Sequence, residues 1–386
     1  MRANREIYAD HAATAPLSPR ALQAMMPYLT GEFGNPSSAH AAGRRARRAV
    51  DNARAAVAAA LGAQPAEIYF TACGTESDNW ALRAAMRMQA PKGRTRLITD
   101  AAEHHAILRT AQALRRAGYR TQVLGVDRLG RVSAGSVRAA LDESAALVSV
   151  MAANNEVGTR MPVRAIAQAA HEAGALFHTD AVQAVGHVPI DVQELGVDML
   201  SFSSHKFGGP KGMGGLYVRK GLPLPAGLYG GGQEHGLRSG TENVAGIVGT
   251  AAALTEACEA MEKNRAKLTA LRGRLTEGIL KKIPGAHLTG DPEDRLPGSA
   301  SFVFEGVEGE PLVLLLDQRG VCASSGSACS AGALEPSHVL LAMGLPEALA
   351  RGSLRLTLGA ENTEEEIDEI LRILPEVVAL LRKAKR

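Results

Sequence analysis

The 386-residue sequence carries 43 Lys plus Arg against 40 Asp plus Glu, a formal net charge of +3, with 46% hydrophobic and 22% charged residues. These are globular proportions, so wholesale disorder is excluded and a large core can be buried. With 41 Gly and 18 Pro it is no collagenous or low-complexity chain, and its length suits two domains or one large domain carrying a smaller one.

Short apolar runs at 67–70, 96–99, 121–124, 146–151, 176–179, 199–203 and 216–218 read as strands alternating with helical patterns such as 77–88 and 163–173. That alternation predicts an α/β fold with a mainly parallel seven-stranded sheet. From 241 to 283 the pattern becomes one long Ala/Leu/Glu/Lys-rich helical stretch, broken by Pro284-Gly285. Beyond it, runs at 287–289, 299–304 and 353–358 and helical patterns at 310–319 and 364–385 predict a smaller α/β domain. The division expected is a large domain over 15–255 and a small one formed by 1–14 with 256–386.

Acids and bases mix along the chain, and the dense cluster Arg44, Arg45, Arg47 and Arg48 has no interleaved aromatics, so it reads as a solvated helix face rather than a nucleic-acid stripe. The 4 Cys, at 73, 258, 322 and 329, form neither a disulfide framework nor a paired metal site and suit reduced thiols in a cytoplasm. The N-terminus lacks the apolar segment of an export signal, and the apolar stretch at 244–254 is too short to span a bilayer. A soluble, unexported chain without membrane or nucleic-acid partners is expected.

The densest polar cluster is Ser201-Phe202-Ser203-Ser204-His205-Lys206-Phe207-Gly208-Gly209, just past a strand. Hydroxyls, an imidazole, an amine and glycines in one turn can hold a phosphate beside a lysine able to form a Schiff base; a polar loop with a solvated lysine is the bland alternative. Asp180 stands directly after another strand, 26 residues before Lys206. A carboxylate there can keep a pyridine nitrogen protonated, although a strand-end Asp is more often a helix cap. In Thr71-Ala72-Cys73-Gly74-Thr75-Glu76-Ser77-Asp78, backbone N–H groups at a helix start can hold a phosphate, or Thr75 and Asp78 can form an ordinary capping box.

Glu103-His104-His105 and Asn154-Asn155-Glu156 are two further strand-end sites, where an imidazole can stack on a ring and move protons and an amide can bond a ring hydroxyl. Adjacent His104 and His105 diverge and have no third ligand at metal spacing, so no resident metal is expected. Cys329 lies in Ser324-Ser325-Gly326-Ser327-Ala328-Cys329-Ser330-Ala331-Gly332, a small polar stretch that suits an exposed nucleophile; a structural thiol fits Cys322 better. In the alternating strand Ser353-Leu354-Arg355-Leu356-Thr357, Arg355 can grip an α-carboxylate or form a plain ion pair.

In this order, and together with Tyr8-Ala9-Asp10-His11-Ala12-Ala13-Thr14, Gly34-Asn35-Pro36-Ser37-Ser38 and Arg238-Ser239-Gly240-Thr241-Glu242-Asn243, these segments resemble NifS/IscS-type cysteine desulfurases nearly end to end. The wording looks closer to NifS. Those are class-V aminotransferases, pyridoxal 5'-phosphate enzymes of the aspartate-aminotransferase-like fold type I. The resemblance implies that Lys206 binds the cofactor covalently and moves the Cα proton, that Asp180 pairs with the pyridine nitrogen, and that His104 stacks on the ring. It further implies that Gln183 and Asn155 bond the ring hydroxyl side and that Gly74, Thr75, Ser203 and His205 hold the phosphate, with Thr241 reaching in from the second subunit of a homodimer. Arg355, helped by Asn35 and Asn155, would hold the carboxylate of L-cysteine.

The same resemblance makes Cys329, on a loop at about 321–333, the acceptor of the substrate sulfur. The products would be L-alanine and a persulfide, passed to an iron–sulfur scaffold or another acceptor protein, with nitrogenase maturation and general cluster assembly both open. His11, Ala15 and Ser204 depart from the residues usual in the family. A PLP-dependent aminotransferase or β-lyase would use Lys206 and Asp180 without Cys329. A reading of another class, a non-catalytic sulfur carrier or iron–sulfur scaffold, would include a transient cluster on Cys329.

Overall fold

A computed structural model describes residues 6–326 and 335–384. After a short strand β1 (Ile7–Tyr8), the seven expected runs become β2 (Ile68–Thr71), β3 (Arg96–Asp100), β4 (Arg120–Leu124), β5 (Ala145–Ser149), β6 (Leu176–Asp180), β7 (Met199–Ser203) and β8 (Gly214–Val218). They form one seven-stranded sheet in the order β2-β8-β7-β6-β5-β3-β4. β4, β3, β5, β6 and β7 run parallel to one another, whereas β8 is antiparallel to both β2 and β7.

Strands β5, β6, β7 and β8 are buried on both faces, which is why they read as near-continuous apolar runs rather than as alternating ones. Successive side chains still go to opposite sides. Leu97, Leu147, Met199 and Leu216 pack with Trp80, Met86 and Ile107 of helices Gly74–Gln89 and His105–Arg116, while Ile98, Val148, Leu200 and Tyr217 face a second layer with Ile166 and Leu254. Ala81, Ala84 and Ala85 are fully or almost fully buried, so the helix lies close over the sheet.

The C-terminal part contains β9 (Ala286–Leu288), β10 (Ser299–Phe304), β11 (Val321–Cys322) and β12 (Ser353–Thr357). β10 is the centre of an antiparallel sheet in the order β12-β10-β9, and β11 pairs in parallel with β1. Phe302, Phe304, Leu354 and Leu356 pack with Leu271, Leu275, Leu316 and Leu374 in a separate core that also takes in Ile7 and Ala9.

The expected single helix over 241–283 is two helices, Val244–Glu259 and Met261–Lys282, bent by 68° at Ala260. Neither Gly nor Pro stands at the break. The composition changes there instead: the apolar first helix is buried along Ala245, Ile247, Ala251 and Leu254, and the charged second one buries only Leu268, Leu271, Leu275 and Ile279. Each half serves a different core, and one straight rod cannot reach both. Among the described residues no single helix is long and apolar enough to cross a membrane.

Candidate active site

The strands β3, β5, β6 and β7 all end on one edge of the sheet, and the segments leaving them wall a cavity of about 280 Å³. Its lining brings together Gly74, Thr75, His104, Asn155, Asp180, Gln183, Ser203, His205, Lys206 and Arg355. A cleft outside the carboxyl ends of parallel strands is where an open α/β sheet binds its ligand.

Lys206 follows β7 in a single 3₁₀ turn, and its Nζ donates to the carbonyls of Ala12 at 2.6 Å and Ala13 at 2.9 Å. Gln183 Nε2 donates to the same Ala12 carbonyl at 3.0 Å, so the N-terminal segment is tied to the cavity wall by both side chains. Asp180 terminates β6, accepts from the Val182 N–H at 2.9 Å and is 6% exposed. Burial pushes its carboxyl up to about 6, against the Val182 hydrogen bond and the Lys206 charge. Behind it, burial and the Asp180 charge push the carboxyl of Asp78 well above its ordinary range. The sheet therefore concentrates acid at the spot where a cationic ring nitrogen would offset it.

His104 caps the helix His105–Arg116, its Nδ1 accepting from the Ala106 N–H at 3.1 Å. That bond leaves the proton of the neutral ring on Nε2. Burial, then the charges of Lys206 and His338, lower its pKa to about 4, so the ring is neutral at pH 7. His205 is likewise lowered to about 4, by burial and by Lys206 and Lys211, and its Nδ1 pairs with Thr14 Oγ1 at 3.1 Å.

The helix Gly74–Gln89 begins at the cavity without a side-chain cap on its first N–H groups. A Cβ at Gly74 would stand 2.5 Å from Val182 Cγ2, so only glycine lets the helix start sit this close to the Asp180 turn. Free N–H groups at a helix start, flanked by Thr75, Ser203 and His205, fit a phosphate. With Asp180 and Lys206 in the same cavity, the donor set fits a phosphorylated pyridine aldehyde.

Arg355, in β12, reaches this wall from the second core. Its Nη1 donates to the Asn155 carbonyl at 2.9 Å and its Nη2 to Asp10 Oδ1 at 2.8 Å, while Nε is buried without an acceptor among the described residues.

Among the described residues, two expected site residues, Asn35 and Thr241, do not line this cavity. Asn35 caps its own turn, its Oδ1 accepting from the Ser37 N–H at 2.9 Å. Thr241 lines a separate recess with Thr71, Arg238 and Glu242. Cys329 lies outside the described residues.

Other residues at the site went unread in the sequence. Asp10 and Ser324 brace Arg355, Cys73 joins the cavity wall, and His178 stands beneath Asp180 between Ser149 Oγ and Ser201 Oγ, each at 2.9 Å. The two-residue spacing of His178 and Asp180 on one strand face was the available clue.

Residues 7–370 match the aminotransferase class-V family model. The chain belongs to the class-V aminotransferase family. It is 48% identical over 379 residues to the cysteine desulfurase IscS of Methanosarcina thermophila, covering 98% of this chain and 93% of that protein. Identity to the cysteine desulfurase NifS of Azotobacter vinelandii is 46% over 378 residues, covering 98% of this chain and 94% of the relative. A solved NifS-like protein superposes with a TM-score of 0.91 at 39% identity, over 97% of this chain and 100% of the other. The fold is therefore the class-V aminotransferase, fold type I architecture, and this family's desulfurases are pyridoxal-phosphate enzymes.

Proposed function

We propose that this protein is a cysteine desulfurase, converting L-cysteine to L-alanine and leaving the sulfur as a persulfide on Cys329 for transfer to an iron–sulfur scaffold or another acceptor. The observation that carries the reading is one cavity walled at once by the Lys206 amine, the Asp180 carboxylate, the uncapped start of the helix Gly74–Gln89 and Arg355. Relatives of nearly full-length similarity bearing the desulfurase name support it.

Pyridoxal phosphate, when bound, supplies an electron sink for negative charge at the substrate Cα. Gly74, Thr75, Ser203 and His205 would hold its phosphate, Asp180 its ring nitrogen, and Gln183 and Asn155 the ring hydroxyl side. Lys206 takes and returns the Cα proton. His104, neutral at pH 7 with its proton on Nε2, would stand beside the bound ring and relay protons. Arg355 orients the substrate carboxylate. The thiolate of Cys329 attacks the substrate sulfur, so that an S–S bond forms as the Cβ–S bond breaks.

A homodimer in which Thr241 completes the partner's phosphate site is supported by the separation of Thr241 from its own chain's cavity. Exposed Leu29 and Phe33, at 58% and 83%, are also consistent with a covered face. A cytoplasmic setting and the division into 15–255 against 1–14 with 256–386 belong to the same reading, the latter supported by the separate apolar cores.

The test is L-cysteine turnover by purified protein with a reductant, followed as alanine and sulfide alongside Schiff-base absorbance. Equal alanine and sulfide are expected. Pyruvate and ammonia from a protein of the same colour would make it a β-lyase, and a colourless inactive protein would remove both.

A further inference from the structure

Glu156 belongs to the segment that follows β5, yet its carboxylate is bonded to Ser337 and lies close to Gly326, residues on either side of the stretch that carries Cys329. Ser337 Oγ donates to Glu156 Oε2, and a Cβ built on Gly326 would stand 3.0 Å from that same oxygen and 3.2 Å from Ser337 Cβ. Gly326 and Ser337 thus lie side by side over Glu156, with Gly326 N–H donating to Ser353 Oγ at 3.1 Å. Ser337 also caps the helix His338–Ala342, its Oγ accepting from the Leu340 N–H at 3.2 Å.

Glu156 and Ser337 are 6% and 2% exposed. A carboxylate buried this far from water is kept only where specific bonds hold it. Burial pushes its carboxyl up to about 7, opposed by the Ser337 hydrogen bond and the Arg355 charge. The preceding residue supplies the carbonyl that holds Arg355 Nη1 at 2.9 Å. One dipeptide, Asn155-Glu156, therefore bonds the arginine at the cavity and Ser337, and lies beside Gly326, the described residues on either side of the Cys329 segment.

We propose that Glu156 is a positioning residue for sulfur transfer, pinning Gly326 and Ser337 in register with Arg355 so that the Cys329 thiol is delivered to a substrate held by its carboxylate. This rests on the desulfurase reading. Glu156 acts through Ser337 and the Gly326 flank, so its loss acts on the transfer step and spares binding. Misplacement of a reacting group by about 1 Å can cost roughly 100-fold in rate.

The experiment compares Glu156→Ala, Glu156→Gln and Ser337→Ala holoenzymes by steady-state kinetics and by hydrogen exchange at peptides covering 321–326 and 335–342. In Glu156→Ala and Ser337→Ala, kcat for alanine should fall roughly 10- to 100-fold. KM for cysteine and the spectral change on adding cysteine should stay near wild type, and exchange should quicken in both peptides but not in the helix Gly74–Gln89. Glu156→Gln keeps an acceptor for Ser337 and should recover most of the rate.

Faster exchange with unchanged kcat would reduce Glu156 to a structural residue and overturn the proposal, as would unchanged exchange or a loss of KM and kcat together. Wild-type holoenzyme that makes no alanine from cysteine would sink the desulfurase reading itself, a failure seen before any variant is examined.

Discussion

Arg355 and Asp10, 345 positions apart in the chain, form a 2.8 Å ion pair at the mouth of the cavity, and the other Asp10 oxygen accepts from Ser324 Oγ at 2.8 Å. The guanidinium side chain is only 4% exposed and the carboxylate 17%, so the pair is shielded from water on the arginine side. Asp10 fixes the plane of the fork and offsets its charge. Arg355→Lys cannot reproduce that planar fork, and losing a charge-assisted hydrogen bond costs about 1.5–3 kcal/mol. KM for L-cysteine is therefore expected to rise about 10- to 100-fold with the cofactor spectrum intact. Steady-state kinetics checks this, and an unchanged KM would remove Arg355 from substrate binding.

Lys206→Ala removes the only amine on this cavity wall among the described residues. Turnover and Schiff-base absorbance should disappear together. The fold is expected to survive, because Lys206 sits in a 3₁₀ turn at the cavity wall, where its Nζ donates to the carbonyls of Ala12 and Ala13. Absorbance spectra with a thermal melt give the answer, and a coloured, active variant would rule out the assignment.

Cys329→Ala separates the reaction from its alternatives. Alanine release should be abolished with the absorbance unchanged, since no described residue at the cavity has been assigned the sulfur. Retained turnover would point instead to chemistry confined to Lys206 and Asp180.

At Gly74 a methyl group would collide with Val182, a β-branched side chain stiff at χ1. Overpacking of this kind costs about 1–3 kcal/mol. Gly74→Ala should weaken cofactor retention by roughly 5- to 100-fold, read by equilibrium dialysis against pyridoxal phosphate. Unchanged retention would show that the helix start does not approach the phosphate.

Acid stability carries a sign set by burial. His178 is fully buried between two serine hydroxyls, and burial lowers its pKa from 6.5 to about 3. The unfolded chain then binds the extra proton between pH 6.5 and 3, so this contribution is present above pH 6.5 and is lost as pH falls, at up to about 1.4 kcal/mol per unit. Asp100 and Glu156, each raised by burial to about 7, act in the opposite sense, because the folded state holds their protons and that contribution fades as pH rises towards 7. Urea unfolding at pH 6.5, 5.5 and 4.5 should show a shallower acid loss in His178→Gln than in wild type. Parallel curves would contradict it.

Much of this was legible in one dimension. All seven sheet strands were visible as short apolar runs between helical patterns, most plainly β5 to β8, which are buried on both faces. Gly74, Asp180, Ser203 and Lys206 were visible because each leaves a strand at the same edge, and residues that punctuate strand ends stand out against apolar neighbours. The Asp10–Arg355–Ser324 and Glu156–Ser337 contacts were not. Each joins segments whose meeting depends on how the second core docks against the sheet edge, and no local periodicity reports that.

The sequence by itself determined the order of strands and helices, the chemistry available at each strand end and the family resemblance, since these follow from residue type and spacing. Only the tertiary structure decided the bend at Ala260, the separation of Thr241 and Asn35 from the cavity, and the bracing of Arg355 by Asp10. These depend on which apolar surfaces find each other when two cores are packed, a choice made by burial over the whole chain rather than by any local stretch of it.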